Sequence, residues 1–149
     1  MTTTVSDLMR KKLVTIEESA SVREAANKMK DNNVSSLVVV DENDKPQGLI
    51  TERDLVRKVC IHDVSTSKII NKEIMSSPLI IIESKSSPSE AVDIMLQSNV
   101  RHLLVVDNES SEDLNKLIGI ITPLDFTRSQ GYAGSDENDS IEKLLEYYI

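Results

Sequence analysis

The chain is written nearly twice over. Residues 5–41, shifted by 66 positions, fall on residues 71–107 with 14 of 37 positions identical. The matched pairs are spread evenly: Met9/Met75, Leu13/Leu79, Ile16/Ile82, Glu17/Glu83, Ser21/Ser87, Glu24/Glu90, Ala25/Ala91, Met29/Met95, Asn33/Asn99, Val34/Val100, Leu37/Leu103, Val39/Val105, Val40/Val106 and Asp41/Asp107. After five extra residues in the second copy, Gly48-Leu49-Ile50-Thr51-Glu52-Arg53-Asp54 matches Gly119-Ile120-Ile121-Thr122-Pro123-Leu124-Asp125. So long a period lies outside the solenoid range. It predicts two copies of a small unit related by a pseudo-two-fold axis, with a ligand cleft between the halves.

Local signals give each unit the order β-α-β-β-α, a mixed α+β (α/β) fold. Thr4–Arg10 reads as a short helical or turn segment and Leu13–Ile16 as a short strand. Ser21 with Glu24 three residues later is a capping box, and Ser87-Pro88-Ser89-Glu90 repeats it with proline at the first helical position. Val22, Ala25, Ala26 and Met29 recur at helical spacing, as do Val92, Met95 and Leu96. Asn33 and Asn99 suit a left-handed helix stop. The valine-rich runs Leu37–Val40 and Leu103–Val106, each bounded by turn residues, read as buried strands. Leu49–Thr51 and Leu117–Thr122 are their hairpin partners, and a helix follows each. The repeats divide the chain into 1–65, 66–129 and an acidic tail, 130–149. In the tail Ile141, Leu144, Leu145 and Tyr148 mark an amphipathic helix.

Bulk properties narrow the function. A 149-residue chain buries roughly 70% of its unfolded surface, whereas a half of about 60 residues is marginal alone. A core shared by the two halves is therefore expected. The formal net charge is −8, which disfavours binding to a phosphate backbone. The single cysteine, Cys60, forms no intrachain disulfide and is expected to pack near a helix end. The four repeat-equivalent methionines Met9, Met29, Met75 and Met95 fit core packing better than a metal box. No His/Cys cluster, Cys–His arrangement or glycine-rich phosphate loop appears, so catalysis and metal binding are not expected. The longest apolar runs are too short for a bilayer, and the N-terminus lacks a signal-peptide core. A soluble, cytoplasmic protein is the expectation.

Chemistry concentrates in the repeated Gly-hydrophobic-hydrophobic-Thr-x-x-Asp. Read from one copy, Thr51-x-x-Asp54 is an ordinary helix start, with threonine as N-cap and an acid near the positive helix end. The same geometry also suits a ribonucleotide. A carboxylate accepts both hydroxyls of a ribose, and a threonine hydroxyl bonds a sugar or phosphate oxygen.

Taken in order, these motifs resemble a tandem pair of cystathionine β-synthase (CBS) domains, a Bateman module. The residues that carry the resemblance are Val5-Ser-Asp-Leu-Met9, Ala25-x-x-x-Met29, Asn33-x-x-x-Leu-Val-Val-Val-Asp41 and Gly48–Asp54. In the second copy they are Glu73-Ile-Met75, Ala91-x-x-x-Met95, Asn99–Asp107 and Gly119–Asp125. The resemblance implies a non-catalytic module that binds AMP, ADP, ATP or S-adenosylmethionine, forms homodimers, and signals to a partner protein not yet known. The alternative is a dimerising scaffold without nucleotide. The family pattern implies one site using Thr51 and Asp54 with Leu79, Ile80, Val100, Arg101 and His102. A second would use Thr122 and Asp125 with Leu13, Val14, Val34, Ser35 and Ser36. Arginine forms bidentate, charge-assisted bonds to phosphate, so the site holding Arg101 is expected to prefer phosphate-bearing ligands.

Overall fold

A computed structural model describes residues 2–107 and 116–128. The expected tail helix over 140–149 lies outside the described residues. The elements are α1 (Val5–Leu8), β1 (Thr15–Glu17), α2 (Val22–Asn32), β2 (Ser36–Val40), β3 (Pro46–Thr51) and α3 (Glu52–Asp54), which runs on through a π-helical stretch (Leu55–Val59) into a 3₁₀ turn (Cys60–His62). They continue with α4 (Asn71–Ile74), β4 (Ile81–Glu83), α5 (Pro88–Ser98), β5 (Leu103–Val106), β6 (Leu117–Ile121) and a 3₁₀ helix (Pro123–Arg128).

The chain divides into two compact units, and the division does not follow the repeats. The first unit is Leu13–Leu79; the second joins Met1–Lys12 to the chain from Ile80 onward. The short segment preceding each repeat, here called an arm, thus packs with the other repeat. The arm carrying α4 completes the first unit and the arm carrying α1 completes the second.

The first unit is a three-stranded sheet in the order β1-β2-β3. β1 runs parallel to β2, with Ile16 opposite Val39, and α2 makes the crossover. β3 returns antiparallel, with Ser36 opposite Thr51 and a bulge at Val39/Val40. The local signals act as chemistry requires. The Ser21 hydroxyl accepts from Glu24 N at 3.1 Å, Ser21 N donates to the Glu24 carboxylate at 3.3 Å, and Asn33 stops α2 at φ 54°. In the hairpin turn, the Asp41 carboxylate accepts from the backbone of Lys45 and Asn43 and from Gln47. The Lys45 N–H, foremost, holds that carboxyl below its ordinary pKa. Cys60 is exposed rather than packed.

The second unit repeats the plan in the order β4-β5-β6, with Ile82 opposite Val105 in parallel and Leu103 opposite Ile121 antiparallel. The bulge recurs at Val105/Val106. Ser87 caps α5 with Pro88 in its first turn, and Asn99 ends it at φ 57°.

The single core expected from chain length is, among the described residues, two cores. The first gathers Ile16, Val22, Ala25, Met29, Leu37, Val39, Ile50, Val59 and Ile74. The second gathers Val5, Ile82, Ala91, Val92, Met95, Leu103, Val105, Ile121 and Phe126. The arms explain how units this small close over a core. Ile74 comes from one arm and Val5 from the other, each adding apolar area that the repeat lacks.

The arms differ at one telling position. Val5 is fully buried in the second unit, and its repeat equivalent Asn71 is fully buried in the first. Asn71 Nδ2 donates to Glu17 O at 2.9 Å, while its Oδ1 has no hydrogen-bond partner among the described residues. A buried unsatisfied acceptor costs about 1–3 kcal/mol, whereas one neutral hydrogen bond contributes about 0.5–1.5 kcal/mol net. Asn71→Val is therefore expected to leave stability unchanged or to raise it by up to about 1 kcal/mol in urea unfolding, despite the lost bond.

Candidate functional site

Each Thr-x-x-Asp motif falls where the last strand of a sheet turns into helix. In the first unit, Thr51 is the N-cap of α3. Its hydroxyl accepts from Asp54 N at 3.1 Å, and Asp54 Oδ2 accepts from Thr51 N at 3.0 Å and from Thr51 Oγ1 at 3.2 Å. In the second unit, Asp125 Oδ2 accepts from Thr122 N at 2.8 Å and Thr122 Oγ1 at 3.2 Å. One carboxylate oxygen of each aspartate is thus committed to shaping the turn.

The other oxygen meets a cation, supplied differently in the two units. Asp54 Oδ1 lies 3.2 Å from Lys58 Nζ, one helical turn onward, and the same ammonium donates to Ile74 O at 2.8 Å. Lys58 thereby ties the helix to the α4 arm. Asp125 Oδ1 instead receives Arg10 Nε at 3.1 Å, from a segment 115 residues earlier. Asp125 is completely covered and Asp54 nearly so, while both cations are a little over 40% exposed. The cations are therefore the exchangeable partners and the backbone N–H groups the fixed ones.

The strand entries stand beside these turns. Ser36 is paired with Thr51, and Ser35 O accepts from Glu52 N at 3.0 Å. Val14 O accepts from Val38 N at 2.9 Å, and Val34 N donates to Met29 O at 3.0 Å where α2 ends. Leu13 begins this unit and Leu79 ends it. In the second unit, Ile80 O accepts from Leu104 N and Val100 N donates to Met95 O, both at 3.0 Å. Arg101 and His102 are half-buried there and lead directly into β5, whose Leu103 pairs with Ile121 next to Thr122.

Within each unit the hairpin joining the last two strands sets the junction beside the entry to the middle strand of the same sheet. Thr51 stands opposite Ser36 in the first unit. In the second, Ile121, just before Thr122, stands opposite Leu103, just after Arg101 and His102. Arg101 and His102 share a unit with Asp125, and Ser35 and Ser36 share one with Asp54.

Arg10 and Lys58 do not figure in the sequence reading. Lys58 stands four residues after Asp54, a spacing that favours an ion pair on a helix. Arg10 has no such local signal, because its partner is set by where the arm docks.

Each arm docks beside the junction by the same device. Arg10 and Ile120 exchange two backbone hydrogen bonds at 2.9 Å, and Ser76 and Leu49 exchange two at 2.9 and 3.0 Å. The neighbouring glycines make room. A Cβ on Gly119 would lie 2.5 Å from Met9 Sδ and 2.8 Å from Arg10 O, and one on Gly48 would lie 2.7 Å from Met75 Sδ and 2.8 Å from Ser76 O. Neither glycine has positive φ, so what matters at both positions is the missing side chain.

Two β-α-β-β-α units, each with a capped Thr–Asp turn and an arm from the other repeat, define a tandem-repeat regulatory module. The CBS domain family model matches residues 5–60 and 72–131, and the chain belongs to the CBS-domain family. It is 34% identical to an uncharacterized protein of Methanopyrus kandleri, over 95% of this chain and 70% of that one. Among solved structures, a CBS-domain protein of unknown function from Thermoplasma acidophilum superposes with a TM-score of 0.82 at 22% identity, covering 99% of this chain and 77% of that one. A CBS-domain protein from Pyrobaculum aerophilum, solved with AMP, superposes with a TM-score of 0.72 at 24% identity, covering 86% and 93%. At these identities the two structures bear on the fold. Among the described residues, no helix is long and apolar enough to cross a membrane.

Proposed function

We propose that the chain binds adenine nucleotides or related adenosyl compounds at its Thr–Asp junctions and passes that binding on to a partner protein. The observation that carries this reading is the repeated carboxylate with one oxygen fixed by backbone and hydroxyl and the other held by a partly exposed cation. A ribose diol can take the place of the cation, since hydroxyl donors suit the same lone pairs. The strand entries Val14, Val34, Ile80 and Val100 supply apolar surface and backbone groups for a base. The AMP bound by the Pyrobaculum aerophilum protein supports an adenosine-bearing ligand. Binding is read out through a regulated partner, and a homodimer is the assembly that this reading favours.

A thermal-shift series with AMP, ADP, ATP and S-adenosylmethionine tests the reading. A ligand at 100 times its Kd stabilises a folded protein by about 2.7 kcal/mol, which corresponds to roughly 5–10 °C for a chain of this size. Asp54→Asn and Asp125→Asn keep an oxygen for the cap and remove the charge, and combined they are expected to abolish the shift. The absence of a shift with every compound at millimolar concentration would leave a dimerising scaffold as the better description.

A further inference from the structure

The two junctions are alike in backbone and differ at three repeat-equivalent positions, basic in one and neutral in the other. The second unit places Arg10 on its arm and Arg101 and His102 at its middle-strand entry. The first unit has Ser76, Ser35 and Ser36 at the corresponding places. Arg10 bonds the aspartate itself, through Nε at 3.1 Å to Asp125 Oδ1. That bond uses one edge of the guanidinium. No described residue bonds its two terminal nitrogens, and the side chain is 44% exposed. A planar cation is thus held with donors to spare within one bond of a carboxylate suited to ribose.

We infer that Arg10 reads the phosphate of the ligand at the Thr122–Asp125 junction, and that it makes this junction the anion-selecting one of the two. The inference rests on the reading of the junctions as ribose sites. A nucleotide carries its phosphate on the ribose itself, so the group that meets Asp125 brings the anion to Arg10. The exchange balances charge. Asp125 trades the guanidinium for sugar hydroxyls, and Arg10 trades one anion for another that accepts a bidentate bond. Arg101 and His102 add positive character to the same unit. At the first junction Lys58 is the exchangeable cation, but it is anchored to Ile74 O. That junction suits a ligand with less negative charge.

Calorimetric titration of the full chain with AMP and with adenosine, at one fixed salt concentration, tests the inference. Wild type is expected to prefer AMP over adenosine. Arg10→Gln is expected to weaken AMP about tenfold while leaving adenosine unchanged or slightly tighter, and Arg10→Lys to retain most of the preference. Ser76→Arg, which places the cation on the other arm without touching the existing pair, is expected to strengthen AMP binding at the first junction. It decides the matter should Arg10→Gln fail to fold. Equal losses for AMP and adenosine in Arg10→Gln would reduce Arg10 to positioning Asp125 and overturn the inference. An unchanged AMP-to-adenosine ratio in both Arg10→Gln and Ser76→Arg would do the same. Wild type that binds adenosine without preferring AMP removes the phosphate assignment alone; wild type that binds neither removes the ribose reading with it.

Discussion

Gly119→Ala is expected to lower the unfolding free energy by at least about 2 kcal/mol, and Gly48→Ala by a similar amount. The added methyl would sit 2.5–2.8 Å from its neighbours in both cases. A methionine sulfur can move aside, but the Arg10 and Ser76 carbonyls cannot, because each belongs to a backbone bridge between arm and sheet. Overpacking of this kind costs about 1–3 kcal/mol, and each lost bridge bond adds about 0.5–1.5 kcal/mol. Urea unfolding gives the magnitude, and limited trypsin cleavage at Lys11 reports on the arm. Gly119→Ala combined with Met9→Ala separates the causes. Relieving the sulfur contact leaves the carbonyl clash in place, so the pair should remain well below wild type. Recovery to wild-type stability would show that side-chain crowding, and not backbone docking, is what the glycine serves.

Phe126→Ala is expected to cost more, about 3–5 kcal/mol, as for other large-to-small changes at buried aromatics. Phe126 is the only phenylalanine in the chain, is 2% exposed, and lies in the second core. Measured against a typical total stability of about 5–15 kcal/mol, such a loss is enough to unfold much of a marginal unit at 37 °C. Phe126 directly follows Asp125, so it also anchors the turn that presents the carboxylate. The repeat equivalent, Leu55, gives a conservative control. Phe126→Leu is expected to lose on the order of 1 kcal/mol and to keep the turn. Far-UV circular dichroism against denaturant measures both variants. A near-neutral Phe126→Ala would mean that the second core closes without this side chain.

Much of this architecture was legible in the amino-acid order because its causes are local. The capping serines, the left-handed asparagines and the valine runs each act within a few residues, and all of them stand where the pattern indicates. The exchange of arms was not legible. Nothing in Val5–Arg10 distinguishes docking on Ile120 from docking on Leu49, since the two arms and the two receiving strands share one pattern. For the same reason Arg10 could not be paired with Asp125 from sequence. The pairing of Leu103, just after Arg101 and His102, with Ile121, just before Thr122, is by contrast local, since one hairpin sets it. The helix-start meaning of Thr-x-x-Asp is the one the hydrogen bonds display: one oxygen of each aspartate accepts from the threonine N–H and hydroxyl, and the other meets a cation.

The crossing of the arms also settles where this chain can be cut. A fragment ending at the repeat boundary near residue 65 keeps Val5, which serves the other half, and discards Ile74, which its own interior requires. Residues 13–79 hold together everything the first interior uses. The duplicated message and the folded piece are out of phase by one arm, and neither copy of the message is a self-sufficient object.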